Sequence, residues 1–132
     1  MPFVALVTVL ALLQFLWLAL QVARARTRYG VAAPASTGNE LFERHFRVHM
    51  NTQEQLVMFL PSLWIFAHYI SALWAAALGV VFVIGRAIYA TSYVRDPKSR
   101  SLGFALTAFP TFAMMIGIVI WAVRAILLGA PW

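Results

Sequence analysis

No cysteine occurs anywhere in the 132 residues. The chain therefore has no disulfide framework, no thiolate metal site and no thiol nucleophile of its own, so any sulfur chemistry must come from a ligand. Carboxylates are scarce too: Glu40, Glu43, Glu54 and Asp96 are the only four, against ten lysines and arginines. No metal centre is expected from so thin a supply of ligands. Long polar stretches are missing as well. Two short segments, "RARTRYGVAAPASTGNE" and "VRDPKSR", interrupt sequence that is otherwise mainly apolar. There is no internal repeat, second domain or low-complexity tract, so residues 1–132 read as a single domain.

What fills the chain instead is hydrocarbon. A hydrophobic content of 63% and a mean hydropathy of +0.83 lie well outside the range of soluble domains and indicate an integral membrane protein in contact with lipid. The formal charge of +6 invites a nucleic-acid reading. However, the arginines are few and separated by long apolar runs that need burial in lipid or protein, so no nucleic-acid partner is expected.

Four helical segments are expected at about 3–26, 40–70, 72–93 and 101–128, each judged against the roughly 20 residues needed to cross about 30 Å of hydrocarbon. The first, apolar from Phe3 to Val22, has no basic stretch before it and reads as a retained helix rather than a cleaved signal. Gly30, Pro34, Ser36, Thr37 and Gly38 then make a loop, and Asn39 is a natural N-cap for a helix whose first turn carries Glu40 and Glu43. The purely apolar part of that second helix, Leu56 to Ile70, is too short to span alone, so Glu54 and Asn51 are drawn into or near the membrane. A turn near Ser71 leads into the third helix, and Pro97 breaks the chain before the fourth. Pro110 marks a kink or a close helix contact in that last helix, and Gly129 and Pro131 end it.

Basic residues cluster at two connections. Arg24, Arg26, Arg28, Arg44 and Arg47 flank the first, while Arg86, Arg95, Lys98 and Arg100 flank the third; Arg124 alone lies near the other side. The positive-inside rule puts both basic loops in the cytoplasm and both termini on the opposite side.

At 100° per residue, Arg44, Arg47, Asn51 and Glu54 fall within about an 80° arc of the second helix, while His45, His49 and Gln53 make another face. On the third helix, Arg86, Tyr89 and Tyr93 form a stripe near the same end. Since an arginine at a helix centre costs about 2.5–3.5 kcal/mol on insertion scales, such residues need partners. Two readings are open. Arg47 or Arg86 pairs with Glu54 in an internal network that fixes packing, or the stripes receive a small anionic ligand from the cytoplasmic side. The excess of arginine over carboxylate favours the ligand. Gln14 and Gln21 read as interhelical hydrogen bonders, and Trp17, Trp64, Trp74 and Trp121 as lipid-facing or packing aromatics.

The block "ERHFRVHMNTQE" resembles the E-R-x-x-R-x-x-x-N-x-x-E helix of the membrane-associated proteins in eicosanoid and glutathione metabolism, the MAPEG family. "GRAIYATSYVRDPKSR" resembles that family's third helix and the loop after it: an arginine, two tyrosines four residues apart, and a final arginine seven residues beyond the second tyrosine. "LQVARARTR" is a weaker match at the end of the first helix. The resemblance implies an all-α, left-handed four-helix bundle assembling as a homotrimer, with glutathione as co-substrate held between neighbouring subunits near the cytoplasmic face. By position it implies that Arg47, Asn51, Glu54, Arg86, Tyr89 and Tyr93 bind the tripeptide, that Arg26 and His49 reach it from the adjacent subunit, and that Arg100 faces the sulfur as the catalytic group.

The chemistry suits those roles. Arginine forks match carboxylates, Glu54 accepts from an ammonium, Asn51 pairs with an amide, and a fixed charge at Arg100 favours the thiolate. Gln55 departs from the tyrosine that several eicosanoid-type members carry after the motif glutamate, and His49 stands where some members have glutamine. The resulting expectation is a membrane glutathione transferase, with peroxidase activity as an accompaniment. Its thiolate would attack a hydrophobic electrophile or lipid hydroperoxide from the bilayer. The alternative is a noncatalytic lipid-binding or scaffold protein of the same fold.

Overall fold

The computed structural model describes residues 1–129; Pro131, expected to help end the last helix, lies outside them. The described chain is all-helical: α1 (Pro2–Tyr29), α2 (Glu40–Tyr69), α3 (Ala72–Arg95) and α4 (Ser101–Leu128), with a single 3-10 turn at Pro97–Ser99. α1, α3 and α4 are long and apolar enough to cross a membrane. α2 is equally long but carries the polar residues singled out above.

The helix boundaries have local causes. α1 runs one turn beyond its expected end at residue 26, because Arg26 and Arg28 suit the negative end of its dipole and Gly30 closes it in the left-handed conformation at φ 67°. The Asn39 side chain accepts from the Phe42 backbone N–H at 3.0 Å, the cap that the sequence offers, while Ser71, expected only as a turn, also caps its helix by accepting from the Trp74 N–H at 3.2 Å. α3 ends at Arg95, again later than expected. There Arg44 on α2 donates to the carbonyls of Val94 and Arg95 at 3.1 and 3.2 Å, satisfying acceptors that a helix end leaves open.

α2 and α3 pack against each other and against both other helices, while α1 and α4 flank them on opposite sides. The central core joins Val4, Val7 and Ala11 of α1 to Phe59 and Leu63 of α2, Phe82 of α3 and Met114 of α4. Phe59 and Phe82 stack with centroids 3.7 Å apart. In lipid, helix association depends on close packing rather than on escape from water, and small residues permit it. α3 and α4 show this most clearly. A Cβ at Gly103 would lie 2.3 Å from the Tyr89 backbone nitrogen, and one at Gly85 would lie 2.7 Å from the Leu106 carbonyl carbon. Pro110 is fully buried in the same α4 face, which identifies it as a close-contact residue.

Several polar groups inside the bundle are satisfied within their own helix or by a neighbouring one. The Thr52, Ser62 and Thr107 hydroxyls donate to carbonyls four residues earlier at 2.7–2.8 Å, and Gln14 of α1 donates to the Val83 carbonyl of α3 at 2.9 Å. The outer surface is leucine, isoleucine, phenylalanine and tryptophan; Leu13, Leu16, Trp74, Phe109 and Ile116 are all exposed. A soluble protein does not present so continuous an apolar surface, so the fold is that of an integral membrane protein.

Candidate functional site

At the end of the bundle that carries the α1–α2 and α3–α4 loops, three helices part to leave a cleft of about 440 Å³. Arg47 and Asn51 come from α2, Tyr89 and Tyr93 from α3, and Arg100, Ser101 and Phe104 from the start of α4. Each wall has a reason to be where it is. The α2 residues share a face by helical period. Tyr89 and Tyr93, four residues apart on α3, stack with centroids 5.5 Å apart. Gly103 lets the first turn of α4 reach the backbone of Tyr89, which brings Arg100 to the same mouth.

Behind the cleft lies its best-defined polar contact. Arg86 is completely buried, and its two terminal nitrogens both donate to Asn51 Oδ1, at 2.9 and 3.0 Å. Its guanidinium also sits over the Tyr89 ring at 4.2 Å from the centroid. An amide turned the other way would point its NH₂ at a group that can only donate, so Arg86 fixes which way Asn51 faces. The Asn51 nitrogen is then directed to Glu54, 3.5 Å from Oε2, and the other Glu54 oxygen meets Arg47 at 3.4 Å. That last pair is loose and half-exposed, at 53% and 52% side-chain exposure. Arg47 and Glu54 are thus available to a ligand in a way that Arg86 is not.

The residues singled out in the sequence therefore sort into three places. Arg47, Asn51, Tyr89, Tyr93 and Arg100 line one cleft, and Glu54 joins it through Arg47 and Asn51. Arg86 stands behind Asn51, with no exposed surface from which to meet a ligand directly. Arg26 and His49 lie elsewhere: Arg26 donates to the Ala35 carbonyl at 2.6 Å and covers the Phe42 ring, while His49 stacks on Phe15 of α1 at 4.6 Å. Arg44, part of the same α2 stripe, is drawn off to the end of α3 and to Glu40, 2.6 Å away. Gln55 is buried and does not line the cleft.

Ser101 and Phe104 are cleft residues that the sequence reading missed. The usable signal was position, since Phe104 lies one helical turn beyond Arg100. Among the described residues no cluster of histidines and carboxylates is suited to a metal ion.

A helical integral membrane protein with an arginine- and tyrosine-lined cleft between three helices at one end is the class that this fold and site define. The chain belongs to the MAPEG family, whose family model matches residues 4–120. It is 46% identical over 123 residues to an uncharacterized protein of Synechocystis, covering 91% of this chain and 90% of that one. It is 39% identical over 103 residues to human microsomal glutathione S-transferase 2, covering 78% of this chain and 70% of the relative. Leukotriene C4 synthase of Cavia porcellus is 36% identical over 96 residues, which are 73% of this chain and 64% of that protein.

Proposed function

We propose that this protein is a membrane glutathione transferase that activates the glutathione thiol for attack on a hydrophobic electrophile arriving from the bilayer. The observation that carries the reading is the convergence of Arg47, Asn51, Tyr89, Tyr93 and Arg100 on one cleft, with the Asn51 amide held in a single orientation by a buried arginine. The similarity to proteins named as a glutathione S-transferase and a leukotriene C4 synthase supports it. At about 440 Å³ the cleft also falls within the roughly 300–1,000 Å³ typical of small-molecule sites.

The residue chemistry gives the division of labour. Arg47 pairs with a carboxylate of the tripeptide, and the ligand's ammonium replaces Arg47 as the partner of Glu54, which converts a weak surface pair into two ligand contacts. Asn51 presents N–H donors to a peptide carbonyl, because its oxygen is already taken by Arg86. Arg100 holds a fixed positive charge beside the sulfur, so the thiol proton leaves to solvent through the open mouth more readily. The thiolate then forms the S–C bond, and the leaving group departs with its electron pair.

In this reading four helices cross the membrane in a left-handed bundle, with both basic loops cytoplasmic and both termini opposite, and three copies assemble. Arg26 and His49, remote from their own cleft, serve the cleft of the neighbouring subunit. Protein solubilised in detergent should bind glutathione and conjugate it to chlorodinitrobenzene. Mixing inactive Arg47→Ala and Arg26→Ala chains should restore some activity, since part of the mixed clefts draw both arginines intact. Binding without conjugation would favour a noncatalytic lipid-binding or scaffold role. Absence of recovery in confirmed mixed assemblies would remove the shared cleft.

A further inference from the structure

The bundle has a second opening at the loop end, on the opposite side of α2 and α3 from the cleft. It is a wedge of about 290 Å³ between α1, α2 and α3. Its floor is apolar: Leu18 and Val48 are buried there, with Ala90 and Val94 alongside. Its mouth is polar, formed by Gln21, His45 and Arg95. Trp17 stands exposed at its edge, and the Arg24 guanidinium lies over that indole at 5.1 Å from the ring centroid. None of these residues takes part in the glutathione reading.

The charges around the wedge are unbalanced. Among the described residues the ion pairs are Arg44 with Glu40 and Arg47 with Glu54, which leaves Arg24 and Arg95 without a carboxylate. Arg44 secures the carbonyls of Val94 and Arg95, so the backbone that carries the Arg95 side chain is held against α2. No carboxylate lines the wedge, so it has no anionic partner for an ammonium group; a zwitterion or a second glutathione is poorly matched. The apolar floor and the exposed tryptophan argue against a fully water-soluble anion. They fit a ligand with a negative head and a hydrocarbon stem, reached sideways from lipid at the depth where tryptophan and arginine gather.

We propose that this wedge binds the headgroup of one anionic phospholipid from the leaflet at the loop end, with its phosphate at Arg95, His45 and Arg24 and its first methylenes on Leu18 and Val48. The volume admits a headgroup and the start of a chain, while the rest of the lipid stays in the bilayer.

The test is lipid retention. The full chain is placed in nanodiscs of equimolar phosphatidylglycerol and phosphatidylcholine, and the lipids that survive release are counted by native mass spectrometry. Phosphatidylglycerol should be kept preferentially, at one per chain. Arg95→Gln, a change at an exposed side chain, should weaken that retention by about fivefold. His45→Ala should lower it too, and Ala90→Phe should block it by filling the floor. Lys98→Gln removes the same charge from the neighbouring loop, outside the wedge, and should leave retention unchanged.

Equal retention of the two lipids would overturn the proposal. So would a Lys98→Gln loss as large as that of Arg95→Gln, since the attraction would then be a general property of a basic surface. Displacement of the lipid by millimolar inorganic phosphate would recast the wedge as a free-anion site and would also refute it. Arg95→Gln decides the matter even if Ala90→Phe fails to fold.

Discussion

Asn51→Leu offers the sharpest way to probe the polar interior. In the native protein the buried guanidinium of Arg86 gives two hydrogen bonds to Asn51 Oδ1, at 2.9 and 3.0 Å, while its Nε finds no hydrogen-bond partner among the described residues. Leucine leaves a charged group enclosed without those acceptors. Hydrogen bonds to charged groups are worth about 1.5–3 kcal/mol each, and stranding one partner of a buried charged contact costs about 3–5 kcal/mol in all. Asn51→Leu should therefore lower stability by about 3–5 kcal/mol, and Arg86→Leu by less, because it strands only a neutral amide next to Glu54. The double variant Arg86→Leu/Asn51→Leu should be more stable than Asn51→Leu alone, since the charge is then gone. Equilibrium unfolding of the four proteins in mixed detergent micelles gives the cycle. A coupling of at least about 2 kcal/mol is expected, and additivity within about 0.5 kcal/mol would refute the claim that these two residues form one buried unit.

Two further outcomes follow from packing and charge. Gly103→Leu must push α4 away from the Tyr89 backbone, so it should cost about 1–3 kcal/mol and reduce glutathione affinity by displacing Arg100; unchanged stability and binding would show that the close approach is dispensable. Single cysteines at Thr37 and Ser99 should label from the cytoplasmic side and one at Phe3 from the other, read cleanly because the chain has no native cysteine; cytoplasmic labelling of the Phe3 variant would reverse the orientation.

The local grammar of this fold is legible in the chain because it depends on neighbours in sequence. Asn39 caps the helix it precedes, a short turn at Ser71 leads into α3, the Asp96–Pro97 break separates α3 from α4, and Gln14 makes its interhelical bond. Helical period likewise brings Arg47 and Asn51 onto one face. Period does not reveal which neighbour claims a given side chain. Arg44 shares the α2 stripe yet caps α3, fifty residues away, and Arg86 shares a stripe with Tyr89 yet is enclosed behind Asn51. Both results depend on how closely α2, α3 and α4 approach, which a stripe cannot express. The same limit hid Ser101 and Phe104, ordinary residues until Gly103 brings α4 against Tyr89. The wedge was hidden for a similar reason, since its walls are spread over α1, α2 and α3.

On the proposed function, Arg100 stabilises a thiolate in a cleft whose other groups hold the rest of the tripeptide. The most direct measurement is the thiol pKa of bound glutathione, followed by the thiolate's ultraviolet absorbance as pH is raised, in the native protein and in Arg100→Ala. A thiol near a fixed positive charge has a folded-site pKa below its ordinary value of about 8.5, so the thiolate persists to lower pH and is lost only as pH falls through the depressed value. The native complex should show that depression. Arg100→Ala should still bind glutathione through Arg47 and Glu54, but with a pKa back toward about 8.5 and conjugation slowed most at neutral pH. An unchanged bound-thiol pKa in Arg100→Ala would contradict thiolate stabilisation, and an unchanged conjugation rate as well would remove Arg100 from the mechanism altogether.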